Sequence, residues 1–241
     1  MEADACDMYV VCVPTPASPG GGFDLSYIRV AVLEVAAVLA SRRFATVVVR
    51  STMLPGTMRN VVLPMLESHS GTHLSKGFGL CYNPEFLRAA TALDDFMSPP
   101  LIVVGEFDAK SAELVAELYR PFGAPELRTT PENAEAIKCF SNAFNATKIS
   151  FFNLLFLAGR RAGIDAEVVA DAMTVATTAI RFPDYGTPGG RPYEGACLPK
   201  DTAASIAYLE QLGVDTSLLS AVIRVNELMA ENASISLWRS G

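Results

Sequence analysis

No apolar run in the sequence approaches the ~20 residues that a membrane-spanning helix needs. Residues 1–7 carry acidic side chains where a secretory signal begins with basic ones. We therefore expect a soluble cytoplasmic protein. Half of the 241 residues (50%) are hydrophobic, which is too many for an intrinsically disordered chain and enough for one large core or two smaller ones.

Positive charge is also scarce. Lys and Arg number 19 against 26 acids, the net charge is −7, and the cations are scattered rather than clustered. This balance argues against nucleic acid or an anionic membrane as the main partner. It is compatible with a phosphorylated small molecule, because such a ligand needs only a few local cations and backbone amides.

None of the five cysteines belongs to a Cys-x-x-Cys pair, which argues against a zinc site, and their odd number indicates free thiols. Cys12 and Cys81 lie in apolar runs typical of strands, and Cys139 lies in a helical stretch. We predict that these three are buried and act as small hydrophobic residues. Cys197 is the exception.

Short apolar runs alternate with helical patterns in the first half of the chain. The runs at 9–13 and 46–50 both predict buried strands, the first of them covered on two faces. Alternation of strands and helices implies a parallel α/β sheet. The other predicted elements are helices at 25–41, about 57–68 and 109–119 and strands near 78–82 and 101–104.

A long helical pattern begins at Pro131. Proline suits the first position of a helix, Thr130 can cap it, and acids follow in the first turn. The pattern continues to about Arg161, a length typical of a domain spine or a dimer interface. Further helices are predicted at 165–175, 200–212 and 216–236, and the Pro- and Gly-rich residues 182–196 predict a loop.

A Rossmann unit carries Gly-x-Gly-x-x-Gly between its first strand and its first helix. The glycines at 20–22 follow a strand, but no helix-opening third glycine stands at the required spacing. The predicted fold class is therefore α/β. It consists of the later part of a Rossmann-like parallel sheet over residues 1–130, followed by an all-helical domain with a long spine helix over residues 131–241.

Cys197 is a candidate nucleophile. Pro199 suits a helix start, and a thiol at a helix N-terminus beside Lys200 has its thiolate favoured by the helix dipole and the cation. Asp201 would then lie one turn further along the helix, on a position neighbouring the nucleophile. The alternative is a partly buried cysteine in a helix cap.

Lys138 and Asn142 are four positions apart on the long helix and project from one face. Together they could polarise and hold an oxygen that becomes negative during a reaction, the alternative being a solvated helix face. Glu85 follows a predicted strand and could order a water molecule as a general base, the alternative being an exposed loop glutamate.

Two loops that carry hydroxyl groups directly follow predicted strands. In an open parallel sheet, ligands bind at the carboxyl ends of the strands, so these loops predict a dinucleotide crevice. The alternative is ordinary turns that end the strands. The residues concerned are Val13, Pro14 and Thr15 in one loop and Ser51 and Thr52 in the other.

Five segments, in this order, resemble the UDP-glucose/GDP-mannose dehydrogenase family. They are Val-Cys-Val-Pro-Thr-Pro (11–16), Val-Arg-Ser-Thr-Met-Leu-Pro-Gly-Thr (49–57), Asn-Pro-Glu-Phe-Leu-Arg (83–88), Glu-Ala-Ile-Lys-Cys-Phe-Ser-Asn (135–142) and Cys-Leu-Pro-Lys-Asp-Thr (197–202). The resemblance extends over nearly the whole chain and corresponds to the middle of a family member. A glycine-rich half of the NAD domain is expected before it and a second α/β domain after it, so we expect a chain truncated at both ends.

The resemblance implies that residues 1–130 are the C-terminal part of an NAD-binding domain and residues 131–241 the central, dimerisation domain. It implies an oxidoreductase that converts the C6 alcohol of a nucleotide sugar to a carboxylate with two NAD. Cys197 would attack the C6 aldehyde to give a thiohemiacetal and then a thioester, and water would release the uronate. A homodimer through the long helix is expected.

Roles for other residues follow from the same resemblance. Lys138 and Asn142 would steady the C6 oxygen, and Asp201 would support proton transfer. Thr52 would help hold the catalytic water, and Glu85 would assist thioester hydrolysis. NAD would contact Val13, Pro14, Thr15, Ser51, Thr52 and Lys200, and the substrate would contact Glu85, Phe86, Leu87, Lys138, Asn142 and Tyr193.

The chain departs from the family pattern at Ala89, Leu154 and Glu194, where the family usually has an acid, a glutamate and a glycine. One alternative function is that of a truncated non-catalytic homologue that keeps the dimer core and has an assembly or accessory role. Another is a β-hydroxyacid dehydrogenase relative, which shares the Lys-x-x-x-Asn helix. The Cys197 segment argues against the latter, because that chemistry needs no thiol.

Overall fold

The chain divides into two compact units, Met1–Phe144 and Asn145–Gly241. The division falls inside the long helix, whose first turns belong to the first unit. The predicted loop at 182–196 and the glycines at 20–22 lie partly outside the described residues. The computed structural model describes residues 6–19, 22–41, 44–182, 185–186, 189 and 191–238.

A five-stranded sheet forms the centre of the first unit, and its strands lie side by side in chain order. The α/β class is confirmed with a mostly parallel sheet, but the third and fourth strands are antiparallel. A parallel connection needs a crossover element, usually a full helix, and the segment between these two strands has only a short helix and one 3₁₀ turn. The strands are β1 (Met8–Val11), β2 (Ala45–Val49), β3 (Phe78–Tyr82), β4 (Ile102–Glu106) and β5 (Glu126–Thr129).

Two helices of the first unit, the fourth and the long fifth one, begin at side-chain caps. The Thr130 hydroxyl accepts a hydrogen bond from the Asn133 backbone N–H at 3.3 Å, at the start of the long helix, as predicted. Asp108 caps the preceding helix by accepting from the Ser111 N–H at 2.9 Å. The helices are α1 (Ser26–Leu39), a π-helical turn (Met58–Val62) leading into α2 (Leu63–Ser70), α3 (Ala92–Met97), α4 (Ala109–Tyr119) and α5 (Pro131–Ala162).

Helices cover both faces of the sheet. On one face α1, α2 and the first turns of α5 enclose a core that includes Ile28, Val47 and Leu80. On the other face α4 packs over Val48 and Cys81. All side chains of β2 and β3 are therefore buried, as a continuous apolar run with two covered faces predicts.

β1 is less buried than predicted. Val11 is buried, but Val10 is 47% exposed and Cys12 is exposed. The prediction of a strand covered on two faces is wrong, as is the predicted burial of Cys12. In the part of the chain that the structure describes, β1 is an edge strand that pairs only with β2. The predicted burial of Cys81 is confirmed.

The sequence pattern did not predict β5. It lies at the opposite edge of the sheet, and its side chains are mostly exposed. Arg128 forms ion pairs with Glu126 of the same strand and with Glu113 of α4. Charged residues are depleted in strands on average, so a short charged edge strand gives no apolar alternation to detect.

Helices make up the described part of the second unit, with a small core around Ala158, Leu209 and Val214. Three of them match predictions with shifted ends. The helix predicted at 200–212 begins earlier, at Cys197, because Pro199 is tolerated in a first turn where no backbone N–H is needed. The helices are α6 (Ala166–Ala176), α7 (Thr178–Arg181), α8 (Cys197–Gln211) and α9 (Ser217–Trp238).

The C-terminal end of α8 is tied to α5 by one side chain. The Arg161 guanidinium donates to the carbonyl oxygen of Leu212 at 2.8 Å and also to that of Gly213. These carbonyl groups lie at the C-terminal end of the helix, where no backbone N–H group of the helix is available to donate to them. Among the described residues, none of the helices combines the length and apolar character that a membrane span requires.

Gly105 allows α5 to begin against β4. A Cβ atom at this position would lie 2.8 Å from the Ala134 Cβ and 2.9 Å from the Pro131 Cα. We expect Gly105→Ala to lower the free energy of unfolding by about 1–3 kcal/mol, since inserted atoms displace packed backbone. Urea denaturation followed by circular dichroism measures this. Gly189→Ala is the control, because its added Cβ meets nothing within 4 Å, and equal losses in both variants would contradict the packing argument.

Candidate active site

The predicted cofactor loops lie together at the carboxyl ends of β1 and β2. Ser51 is buried, and its hydroxyl accepts from the Val13 N–H at 2.9 Å and donates to the Val13 carbonyl at 2.7 Å. The Thr15 hydroxyl donates to the Thr52 carbonyl at 2.8 Å. These hydroxyl groups join the two loops, while Pro14 between them is exposed.

The loop after β3 meets the long helix through Lys138 and Glu85. Lys138 is 4% exposed, and its ammonium donates to the Glu85 carboxylate at 3.0 Å and to the Glu85 main-chain carbonyl. It also lies 5.5 Å from the centroid of the Phe86 ring. The alternative of a solvated helix face is wrong for Lys138 but holds for Asn142, which is exposed, and Glu85 is half-buried rather than exposed. A buried cation needs such partners.

The Glu85 carboxylate has a second partner. It accepts from the backbone N–H of Leu87 at 2.6 Å, which closes the loop on itself. Asn142 lies one turn after Lys138 on α5 and is exposed. The structure therefore brings Glu85, Phe86, Leu87 and Lys138 together in the first unit and places Asn142 on the same helix.

A polar cluster beneath this loop was missed by sequence reasoning. The Asn83 amide group donates to the Val103 carbonyl at 2.8 Å, and its oxygen accepts from the Tyr119 hydroxyl at 2.9 Å. The Arg50 guanidinium contacts both Asn83 and Tyr119. Burial raises the pKa of Tyr119, which keeps its hydroxyl protonated as a donor. Asn83 and Arg50 directly follow strands, which is a signal, but nothing marks Tyr119.

Glu135 joins α5 to the loop after β2. Its side chain is fully buried, and its carboxylate accepts from the backbone N–H groups of Gly56 at 2.6 Å and Met58 at 2.7 Å. Burial raises the pKa of Glu135, and these two hydrogen bonds act against that rise. The first turns of the segment that follows Thr52 are thereby held to the helix that carries Lys138.

Two further contacts lie along the same stripe of α5. One turn earlier, Glu132 pairs with Arg59. One turn later, the half-buried Cys139 donates its thiol to the Met53 carbonyl at 3.0 Å. Burial raises the pKa of Cys139, so this thiol is kept as a protonated donor. The predicted burial of Cys139 is therefore met only in part.

Cys197 is the first residue of α8 in the second unit, and its side chain is exposed. Asp201 lies one turn further along the helix, as predicted. Lys200 forms an ion pair with Asp201, and both side chains are largely exposed. The alternative of a partly buried cysteine in a cap is wrong, and the cation expected beside the thiol has a carboxylate as its partner.

Tyr193 precedes Cys197 in a loop that α9 holds. Its backbone N–H donates to the Asn226 side-chain oxygen at 2.6 Å, and its carbonyl accepts from the Asn226 amide group at 3.0 Å. Tyr193, Glu194 and Leu198 line a pocket of the second unit together with Asn226. Sequence reasoning missed Asn226, because a polar residue in the middle of a helix carries no signal of a distant partner.

Comparison with known proteins decides the family. Residues 1–123 match the NAD-binding-domain model of the UDP-glucose/GDP-mannose dehydrogenase family, and residues 132–228 match the model of its central domain. The chain belongs to this family. The family indicated by the five sequence segments is thereby confirmed.

Relatives within the UDP-glucose/GDP-mannose dehydrogenase family span both of its named substrates. The GDP-mannose 6-dehydrogenase of Pseudomonas syringae pv. tomato is 38% identical over 230 residues, which are 95% of this chain and 52% of that protein. The UDP-glucose 6-dehydrogenase of Haloferax volcanii is 34% identical over 227 residues, 92% of this chain and 52% of that protein. The chain spans about half the length of the curated relatives it matches.

A solved structure in the UDP-glucose/GDP-mannose dehydrogenase family has a similar fold. The crystal structure of a ternary complex of GDP-mannose dehydrogenase from Pseudomonas aeruginosa has a TM-score of 0.91 and 37% identity. It covers 98% of this chain and 54% of the solved chain. The α/β architecture and the long helix agree with this likeness.

Two departures from the UDP-glucose/GDP-mannose dehydrogenase pattern have a clear structural setting. Leu154 packs against the second-unit core beside Leu209 and Val214, a position that suits an apolar side chain. Glu194 is exposed, so its carboxylate is solvated rather than buried in the loop. Ala89 begins a 3₁₀ turn.

The Glu135 carboxylate can be tested directly. In Glu135→Gln only the side-chain oxygen accepts, so one of the two backbone N–H groups faces an NH₂ group. We expect the free energy of unfolding to fall by about 1–3 kcal/mol, because a buried donor loses its partner. Urea denaturation measures the loss.

Glu132→Gln is the matched control on the same helix. Glu132 pairs with Arg59 at a site where both side chains are partly exposed, and such a pair contributes about 0.2–1 kcal/mol. If the two variants lose equal stability, the Glu135 carboxylate does not hold the loop as described.

Proposed function

We propose that this chain forms the catalytic part of an NAD-dependent nucleotide-sugar 6-dehydrogenase that acts on GDP-mannose or UDP-glucose. The observation that carries the proposal is the exposed thiol of Cys197 at the first position of the 15-residue helix α8. The backbone N–H groups of a first helical turn have no partners within the helix, so they favour negative charge at that point. A nucleophilic thiol fits this setting.

The first unit fits NAD at the carboxyl ends of its parallel strands. β1 and β2 end side by side, and the hydroxyl groups of Ser51 and Thr15 fix their loops as one surface. Ligands of open parallel sheets bind at this edge. NAD, when bound, supplies the acceptor for the hydrides that leave C6. The residues proposed to hold it are Val13, Pro14, Thr15, Ser51, Thr52 and Lys200.

Cys197 carries the covalent chemistry in this proposal. Its sulfur bonds to the aldehyde carbon C6, and the thiol proton passes to the carbonyl oxygen to give a thiohemiacetal. Loss of a hydride from C6, for which NAD would be the acceptor, together with loss of the hydroxyl proton, leaves a thioester. Water then adds, the C–S bond breaks, and the thiol is restored with release of the uronate. Asp201, one helical turn from Cys197, supports these proton transfers.

The first unit supplies charge and a base for the same reaction. The buried ammonium of Lys138 is held by Glu85 and steadies the C6 oxygen as that oxygen gains negative charge, assisted by Asn142. Glu85 assists attack of water on the thioester, and Thr52 helps to hold that water. Phe86, Leu87 and Tyr193 border the sugar.

A homodimer through α5 belongs to the same proposal. Large apolar side chains along this helix are exposed, with Phe140 at 70% and Phe144 at 69%. Exposed aromatic residues in a row along one helix mark a surface that a partner covers. A second copy of the chain would cover these rings.

We expect Phe144→Glu to weaken self-association about tenfold or more, since burial of a phenylalanine side chain contributes about 1.5–3 kcal/mol. Sedimentation equilibrium measures the dissociation constant. Ala146→Glu is the control, because Ala146 is also exposed but lies two positions from Phe144, on a different face of the same helix. A dissociation constant unchanged by Phe144→Glu would contradict a dimer through α5.

The activity is tested with the chain, NAD and either GDP-mannose or UDP-glucose. We expect two NADH per uronate released. With the nucleotide-sugar 6-aldehyde and NAD, we expect a thioester adduct on the peptide that contains Cys197, measured by mass spectrometry after quenching in acid. Cys197→Ala is expected to abolish both the adduct and aldehyde oxidation, because the proposal assigns the attack on C6 to this sulfur.

Cys6→Ala is the matched control, since Cys6 is also an exposed thiol. Its adduct and NADH yields are expected to equal those of the wild type. If the wild type forms neither NADH nor an adduct on Cys197, the dehydrogenase function is wrong and the non-catalytic assembly role is favoured.

A further inference from the structure

The loop before Cys197 is fixed by one side chain of another helix. Asn226 of α9 makes two hydrogen bonds to the backbone of Tyr193, accepting from its N–H at 2.6 Å and donating to its carbonyl at 3.0 Å. The carboxamide thus satisfies both main-chain groups of one residue, as a neighbouring strand would. Tyr193 stands four positions before Cys197.

We propose that Asn226 is a positioning residue that fixes the loop at 191–196 and through it the orientation of Cys197. The proposal rests on the function proposed above as far as the role of Cys197 is concerned. Asn226 itself touches no reacting atom. Its action is carried by the main chain between Tyr193 and Cys197.

The path from Asn226 to Cys197 is short and has one sharp turn. Gly195 has a φ of +90°, a conformation that L side chains rarely adopt, so the chain turns abruptly just before the helix. Ala196 follows as the N-cap and offers no side-chain hydrogen bond to the first turn of α8. The start of α8 therefore lacks a cap of its own and depends on how the preceding loop is held.

The other end of α8 is already fixed. Arg161 donates to the carbonyls of Leu212 and Gly213, at the point where α8 ends. With Asn226 holding the entry loop, α8 is restrained at both ends by side chains of neighbouring helices. The backbone that carries the thiol at its first position is thus held in one orientation.

Asn226 also forms part of the wall of the adjoining pocket. Tyr193, Glu194, Leu198 and Val222 line the same pocket of the second unit. A loop released from Asn226 would change the position of Tyr193 and Glu194 at once. A large ligand that depends on this wall would respond, whereas a small reagent that needs only an exposed thiol would not.

Three variants separate hydrogen bonding from packing. Asn226→Leu keeps the size of the side chain and removes both hydrogen bonds. Asn226→Asp keeps the oxygen that accepts from the Tyr193 N–H but loses the donor to the Tyr193 carbonyl. Glu227→Leu is the matched control, an exposed polar residue at the next position of the same helix.

The first measurement is hydrogen exchange of the Tyr193 amide, followed by NMR. We expect exchange about tenfold faster in Asn226→Leu, because a hydrogen bond of ordinary net strength is lost. Asn226→Asp is expected to restore part of the protection, and Glu227→Leu is expected to match the wild type.

The second measurement compares two reactions of Cys197 at the level of its peptide, by mass spectrometry. In Asn226→Leu the adduct with the nucleotide-sugar 6-aldehyde is expected to form at least about fivefold more slowly, because the thiol is misaligned with the bound carbonyl. This adduct is the thioester, so the mixture contains NAD as the acceptor of the hydride from C6, and the reaction is quenched in acid. Alkylation by iodoacetamide is expected to stay within about twofold, since the thiol is exposed in either case.

The possible results separate the two proposals. Unchanged exchange at Tyr193 in Asn226→Leu overturns the hydrogen-bonded clamp. Faster exchange with an unchanged rate of adduct formation overturns the action of Asn226 on Cys197, as does an equal fall in adduct formation and alkylation. A wild type that forms no adduct overturns the proposed function and the role assigned to Cys197, while the clamp is then judged on exchange alone.

Discussion

A buried carboxylate, that of Glu135, is the interaction on which the arrangement of the first unit depends. The backbone N–H groups of Gly56 and Met58 donate to this carboxylate and offset the free-energy cost of burying its charge. A residue late in the sequence of the unit thereby holds a loop that lies much earlier in the sequence. One turn along the same helix, Lys138 holds the loop after β3. The two loops with candidate chemistry are thus positioned by a single helix, and the start of α5 governs the geometry of that edge of the sheet.

In the second unit, a neutral carboxamide and a cationic guanidinium form the hydrogen bonds that main-chain groups outside regular structure need. Where α8 begins and ends, its main chain leaves regular structure, and Asn226 and Arg161 supply the missing partners. In both units, irregular segments are satisfied in part by side chains of helices, although Ser51 and Thr15 join two loops directly. The positions of these loops therefore depend on a few polar residues inside helices. Replacing one of these residues by an apolar residue would leave a main-chain group without its hydrogen-bond partner.

The sequence predicts β2 and the longer helices well because their signals are local, but it misses the short helices α3 and α7. β2 is an unbroken apolar run, and α5 starts at a capped proline. Lys138 and Glu85 could be proposed from their places on a helix and after a strand. Tyr119 and Asn226 could not, because no local pattern marks a polar residue inside a helix, and only their contacts with Asn83 and Tyr193 show their roles. Cys12 was misjudged for a related reason, since the burial of a strand depends on how many strands flank it.

The two edges of the sheet differ in how they meet other chains. β5 carries an acidic and a basic side chain, and its Arg128 forms ion pairs with Glu126 and Glu113. A charged edge strand of this kind opposes the addition of a further strand. β1 has no such protection among the described residues, and Val10 presents an exposed apolar side chain there. Among the described residues the two edges therefore differ in what they accept: the main-chain N–H and C=O groups on the outer side of β1 are open to a further strand, whereas the charged side chains of β5 oppose one.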